Sequence, residues 1–300
     1  MSSPSHSNSK PIAGKHELVN WFAQACTPAA KRLIGVEHEK PPFYLDNLQP
    51  VPFHATEPNR HGVADFIERM TAQQGWQQGA VENGQVVDIF KKRVNGTFEP
   101  GLQMETGGAP LRSVHQIARE TDRTINEAVK VSAELGFGML AMGYHPTHGN
   151  RDIPSMPKSR YATIREYVRA QKYPNALDAM YCTSSVQANL GYQSEADMVK
   201  MLRVSLSLQP IVTALCANSP FAYGGLTGYQ SFRSHKIYNN MGGRYGFMLP
   251  VAFDDGFGFE MFVDYALERM PMMGVYKGAV FLDAKGSNFK SFMEGRLEAC

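Results

Sequence analysis

Apolar positions along this chain follow two periods, and the switches between them mark its elements. Val63, Phe66, Ile67 and Met70 recur at i, i+3, i+4 and i+7, which predicts an amphipathic helix closed by Gly75. Val114, Ile117, Ala118, Thr121, Ile125 and Ala128 predict a second helix, stopped by Gly136. Ser194 reads as the N-cap of a third, with Glu195 and Asp197 favourably placed in its first turn. That helix runs through Met198, Met201 and Leu202 to about Leu208, where Pro210 kinks or ends it. Residues 259–267 and 289–295 are also predicted helical. Asn83-Gly84 and Asn95-Gly96 are hairpin signals among the β-formers Val86, Val87, Ile89, Phe90, Val94, Thr97 and Phe98. Residues 137–144, 184–192, 247–253 and 275–282 read as buried strands. Hairpins beside long helices imply an α+β fold, a mostly antiparallel sheet with helices on one face.

Polar residues interrupt the strand-like stretches at a spacing of two. Glu37 and Glu39 follow Ile34-Gly35-Val36, Gln103 and Glu105 follow Phe98-Glu99-Pro100-Gly101, and Gln187 and Asn189 follow Val186. Side chains alternate across a strand, so each pair projects from one face. Glu99 shares the parity of Glu105, although Pro100 and Gly101 imply a bulge between them. One reading is a sheet with a polar solvent face. The other is a ligand site: converging carboxylates repel unless a cation sits among them, and oxygen-only donors suit Mg²⁺ together with phosphate oxygens. Lys158, Arg160, Arg233 and the glycine-flanked Arg244 are the complementary cations, and arginine suits bidentate capture of carboxylate or phosphate. No Walker A, GxGxxG, GxSxG or HExxH motif occurs.

Composition narrows the choice. The 300 residues are 43% apolar and 19% charged, with a net charge of +2, enough for a large core and too little charge for a polyanion partner. Nucleic acid is therefore excluded as a target. Residues 1–11 read as a solvated tail without a secretory or transit signal, and residues 12–300 as the folded part. No charged residue occurs between Arg203 and Arg233, but Gln209, Pro210, Asn218 and Pro220 break the run. A helix buried on all sides explains it without a membrane. Cys26, Cys182, Cys216 and Cys300 form no metal or disulfide spacing, so the expected setting is the reducing cytoplasm. His145 and His148 have a zinc-compatible spacing without further soft ligands nearby. Tyr223, Tyr229, Tyr238 and Tyr245 are candidates to shape a pocket or to pack.

Residues 34–40 (IGVEHEK), 98–105 (FEPGLQME), 152–161 (DIPSMPKSRY), 186–190 (VQANL), 194–198, 208–211, 217–221 (ANSPF), 233–235 and 253–258 (FDDGFG), in this order, resemble the plant and proteobacterial type of glutamate–cysteine ligase. The resemblance implies a glutamine-synthetase-like fold, with a curved antiparallel sheet forming a funnel and helices packed outside. It implies that ATP phosphorylates the γ-carboxylate of glutamate and that the cysteine amine attacks the acyl phosphate. Glu37, Glu39, Glu99 and Glu105 would then belong to the Mg²⁺ cluster, lined by Gln187 and Asn189. Arg233 would hold the glutamate carboxylate and Arg244 would face phosphate; Lys158, Arg160, Asn218 and Ser219 complete the implied binding set.

The chain also departs from the family pattern. Pro41-Pro42 replaces Phe-Gly, Thr106-Gly107-Gly108 replaces Leu-Ser-Gly, and Tyr144-His145-Pro146-Thr147-His148 replaces Phe-Gln-Pro-Lys-Trp. An aspartate-rich loop is replaced by residues 239–243, and a Glu-Val-Arg element expected beyond residue 300 is not reached, which reads as a C-terminal truncation. The alternatives are accordingly a truncated or diverged paralogue that binds glutamate or nucleotide without turnover or needs a partner chain, or a ligase for a different amine.

Overall fold

A computed structural model describes residues 11–170, 173, 175–238, 249–277, 280–284 and 286–297. Its main sheet has six strands: β1 (Ile34–Lys40), β2 (Gln77–Gln78), β3 (Asp88–Lys91), β4 (Val94–Phe98), β5 (Met104–Gly107) and β6 (Val186–Leu190). The order is β6-β1-β5-β4-β3-β2, every pairing is antiparallel, and the sheet is not closed into a barrel. Among the described residues there are nine helices: α1 (Lys15–Gln24), α2 (Val63–Gln74), α3 (Val114–Glu134), α4 (Ser159–Ala170), α5 (Ala176–Tyr181), α6 (Glu195–Leu215), α7 (Phe232–Tyr238), α8 (Phe259–Arg269) and α9 (Phe289–Met293). The expected α+β class holds.

Strand register settles which side chains share a face. Glu37 pairs with Gln187, Gly35 with Asn189, Glu39 with Glu105, and Glu105 with Thr97. These polar residues therefore stand on one face, and the alternate positions supply the other. On that second face Ile89, Val94, Phe98 and Met104 join Phe66 and Met70 of α2 and Ala128 and Val131 of α3 in the main core. Phe66 meets Phe98 edge-on at 6.4 Å. Both helices end as the glycine signals require, since Gly75 has φ 69° and Gly136 φ 76°, a left-handed geometry that costs glycine least.

Several elements differ from expectation, each for a local reason. Asn83-Gly84 does make a tight turn, with φ 51° and 76°, but Asn95-Gly96 lies inside β4 and the hairpin turns at Lys92, φ 58°. Gly96 serves packing instead: a Cβ there would press on Ile89 at 3.0 Å and Trp76 at 3.2 Å. Residues 99–103 are no bulge within a strand. They are the loop joining β4 to β5, closed by Leu102 N–H to the Glu99 carbonyl and Glu99 N–H to the Gln103 carbonyl, both 2.9 Å. The strand expected over 137–144 is ordered only as Phe137–Met139, and 275–282 splits into a hairpin of Gly274–Lys277 and Val280–Asp283. Of 247–253, the described part is a short 3-10 turn, Pro250–Phe253.

The largest difference is α6, which continues through Pro210 to Leu215. Proline there removes one intrahelical bond and leaves the rest of the ladder intact. The helix is not enclosed: none of its residues is buried. It is long and apolar enough to cross a membrane, so burial does not account for its composition.

The 99–103 loop gives a first prediction. A Cβ on Gly101 would collide with the Tyr181 carbonyl oxygen, and this backbone contact cannot move aside. Gly101→Ala is expected to lower stability by about 1–3 kcal/mol in urea unfolding, the usual cost of overpacking. An unchanged midpoint would show that the loop is slack.

Candidate active site

Three carboxylates influence one another on the polar face. Glu39 extends from β1, Glu105 from the neighbouring β5, and Glu99 from the loop that precedes β5. Glu99 is pushed up to about 7, first by burial and then by Glu105, with Glu39 adding to the effect and Lys158 opposing it. Glu39 is also raised, by burial first; Ser185 and Arg233 oppose this and Glu105 adds to it. Neighbouring carboxylates raise one another in this way.

Neighbouring side chains hold the three in place. Thr97 Oγ1 donates to Glu105 at 2.8 Å, Tyr161 Oη to Glu99 at 3.3 Å, and Ser185 Oγ to Glu39 at 2.9 Å. Gln187 Nε2 reaches Glu39 at 3.4 Å, and Asn189 Nδ2 donates to Glu37 at 2.9 Å. Glu37 thus belongs with Asn189 towards the sheet edge. Gln103, expected beside Glu105, is instead enclosed: its carbonyl accepts from Gly101 N–H at 2.8 Å, and its amide donates to the carbonyls of Met180 and Thr183 at 3.1 and 2.8 Å. It clamps the Glu99 loop to the chain entering β6.

Cations border the cluster from two sides. Arg233, in the first turn of α7, has a buried Nε with no hydrogen-bond partner, the only such side-chain nitrogen or oxygen among the described residues. An orphaned guanidinium nitrogen is costly unless a ligand completes it. Lys158 is 2% exposed; its Nζ donates to the Phe98 carbonyl at 3.1 Å, and burial lowers it to about 8 against the pull of Glu99. Arg160 lies over the Tyr161 ring at 5.3 Å. Asn218 and Ser219, expected to bind substrate, hold backbone: Asn218 Nδ2 donates to the Ala141 carbonyl at 2.9 Å, and buried Ser219 Oγ accepts from Arg233 N–H at 3.1 Å. Ser219 thereby seats α7, and Asn218 ties its own segment to Ala141. Arg244, Tyr245 and the 239–243 loop lie outside the described residues.

A deeper network carries α7. Asp178 accepts from Asn150 at 2.5 Å, Tyr223 at 2.8 Å and Lys236 at 3.1 Å, while Lys236 also donates to Asn175 at 3.0 Å. Burial pushes Asp178 up, but these donors outweigh it and leave the carboxyl below its usual range. Cys182 is fully buried 3.9 Å from Asp178, and burial raises its thiol well above normal, so it packs and does not react. Thr97, Ser185 and the Asp178 network were not singled out from the sequence. Thr97 was recoverable only by placing the hairpin turn at Lys92.

Among the described residues no three His, Cys, Asp or Glu side chains are arranged to hold one metal ion. His145 and His148 do not form a zinc pair: His145 Nδ1 accepts from His148 N–H at 3.1 Å, and His148 Nε2 lies 3.0 Å from Gln49 Oε1. Burial lowers His145 to about 4, so between 6.5 and about 4 the unfolded chain binds a proton that the folded chain refuses. Stability should therefore fall as pH drops through this window, by on the order of 3 kcal/mol. Thermal melts from pH 7 to 4 should show a shallower acid slope for His145→Gln than for the parent; equal slopes would refute this assignment.

The model for glutamate-cysteine ligase family 2 (GCS2) matches residues 33–298. The chain is 40% identical to the chloroplastic glutamate–cysteine ligase of Solanum lycopersicum over 283 residues, covering 94% of this chain and 52% of that protein. The Nicotiana tabacum and Arabidopsis thaliana proteins of the same name are 39% and 38% identical over the same length, each covered to 52%. The chain thus spans about half the length of the curated relatives it matches. The expected cytoplasmic setting is corrected by these relatives, which are chloroplastic.

Proposed function

The chain belongs to glutamate-cysteine ligase family 2, and we propose on that premise that it joins the γ-carboxylate of L-glutamate to the amine of L-cysteine with ATP, the first step of glutathione synthesis. The observation that carries this reading is the orphaned Nε of Arg233 beside strained Glu39. An anionic ligand there would satisfy the guanidinium, and a carboxylate of glutamate has the matching planar charge. The sheet, on this reading, curves into the funnel of the glutamine-synthetase-like fold, with the site on its inner face.

The carboxylates form no ready-made metal triad among the described residues. Oxygen-only donors that raise Glu39 and Glu99 nevertheless suit a hard cation, and Glu39, Glu99 and Glu105, with Glu37 towards the sheet edge, are the residues that would turn to Mg²⁺ in company with phosphate oxygens. Bound there, Mg²⁺ would supply neutralisation of the phosphate charge during transfer. Arg233 fixes glutamate so that its γ-carboxylate oxygen attacks the terminal phosphorus of ATP and ADP leaves. The cysteine amine then attacks the acyl carbon, phosphate departs, and the amine loses a proton. Positioning dominates such chemistry, so no side-chain nucleophile is needed. Lys158, held against the Glu99 loop, tempers the negative potential of the cluster.

The test is ADP release measured with each component omitted in turn. Release that requires glutamate, amine and Mg²⁺ together supports ligation. Glutamate or nucleotide binding without turnover rejects it in favour of a binding paralogue, and turnover with another amine but not cysteine rejects the acceptor.

A further inference from the structure

The back of β1 faces a cavity that the acidic site does not use. Val36, His38 and Lys40 alternate along β1 with Glu37 and Glu39, so the sheet itself stands between this cavity and the carboxylates. The opposite wall is α3, from Ile117 to Val129, and Met104 and Met139 also line the space. That stretch of helix is about 18 Å long. Yet the centre of a water molecule can roam only about 30 Å³ of the cavity. A void so long and so narrow admits one extended chain, not a ring system. Val129, 47% exposed, marks its opening to solvent. Water in such a slot finds few polar partners, so an apolar chain gains by replacing it.

One charge breaks the mainly apolar lining. Lys40 is half-buried in the wall, and among the described residues no hydrogen bond or ion pair reaches its ammonium. Glu120, the acid in the same lining, is already engaged: Ala109 N–H donates to it at 2.8 Å, and Arg123 lies 4.0 Å away. His38 Nε2 is turned to Thr121 Oγ1 at 3.4 Å. The cavity is left with one unanswered positive charge. An ammonium on a flexible stem is a compact point charge and matches a single negative charge. A phosphate would bring a second charge that nothing here meets, and burying it unpaired is costly. A carboxylate brings one.

We propose that this cavity is a binding site for an unbranched aliphatic carboxylate, its head on Lys40 and its chain laid along α3. The site shares no side chain with the acidic cluster, so either can fail without the other.

The test is isothermal titration of the full chain at pH 7 with decanoate, kept below its micelle concentration. Saturable 1:1 binding is expected. Decanol keeps the chain and lacks the charge, butyrate keeps the charge and lacks the length, and each should bind at least tenfold more weakly. Lys40→Met, which preserves the apolar stem, should weaken decanoate at least tenfold. With carbon-13 at the methionine methyls, decanoate should move the Met104 and Met139 signals and leave exposed Met270 in place. Absence of saturable binding overturns the proposal, and so does a smaller loss in any of the three comparisons. Binding that leaves Met104 and Met139 unmoved puts the ligand elsewhere and overturns the site. Should Lys40→Met fail to fold, the decanol, butyrate and methyl comparisons decide by themselves.

Discussion

Replacing Glu105 with glutamine is expected, on the proposed function, to cost about 10²–10³-fold in γ-glutamyl product formation, and to abolish the rise in melting temperature that Mg²⁺ and ATP should then give the parent chain. The magnitude is that of removing one preorganised charge-stabilising group from a phosphoryl-transfer site. The same substitution has an opposite effect on the metal-free protein. Glu99 is raised by burial and by Glu105, so the folded chain retains a proton that the unfolded chain releases between about 4.5 and 7. Stability therefore falls as pH rises through that window. Removing the Glu105 charge lifts one of the causes, and at pH 8 in EDTA the Glu105→Gln chain should melt higher than the parent. A variant that loses ligand stabilisation and gains metal-free stability fits a strained anionic site. A variant that keeps full activity, or melts lower in EDTA, refutes it.

Asp178→Asn is expected to destabilise the chain by about 3–5 kcal/mol, because it strands the charge of Lys236 in a site where the two side chains are only 7% and 16% exposed. Lys236→Met should cost a comparable amount. The double substitution should cost clearly less than the sum, since neither charge is then left unpaired. The effect should reach the ligand as well. Lys236 lies one turn after Arg233 on α7, and buried Ser219 seats the start of that helix. Loosening the anchor should weaken glutamate binding by isothermal titration well before it alters the affinity for nucleotide. Strictly additive losses with unchanged glutamate affinity would show that the pair is only a stability element.

The helices that bury one face were legible because a single strong period defines them: α2 and α3 follow their apolar positions and stop at glycine. The paired polar residues were legible for the same kind of reason, since parity alone puts Glu37 and Glu39, or Gln187 and Asn189, on one side of a strand. What parity could not supply was pairing. The hairpin between β3 and β4 turns at Lys92 rather than at Asn95-Gly96, because Gly96 is needed where Trp76 and Ile89 crowd the backbone. That shift makes residues 99–103 a loop and converts Gln103 from a ligand into a clamp. α6 was misread because its uncharged, apolar stretch after Arg203 was taken to imply an enclosed helix; composition reports what a surface prefers to touch, and not whether it is covered in this chain. Asn218 and Ser219 were assigned from likeness alone; the structure shows their hydrogen bonds to the Ala141 carbonyl and from Arg233 N–H.

The pairing of β1 with β6 has a kinetic side. Ser185 meets Glu39 across 146 positions of chain, and Asn189 meets Glu37 across 152. Contacts of such long separation form after local ones, since the intervening loop must first be closed. During synthesis Phe66, Phe98 and their partners on α2 and α3 emerge well before residue 190, and Tyr161, Ile164, Tyr167, Val168 and Ala176 join the same core later. The acidic cluster is therefore assembled late, after the strands and helices that back it have emerged.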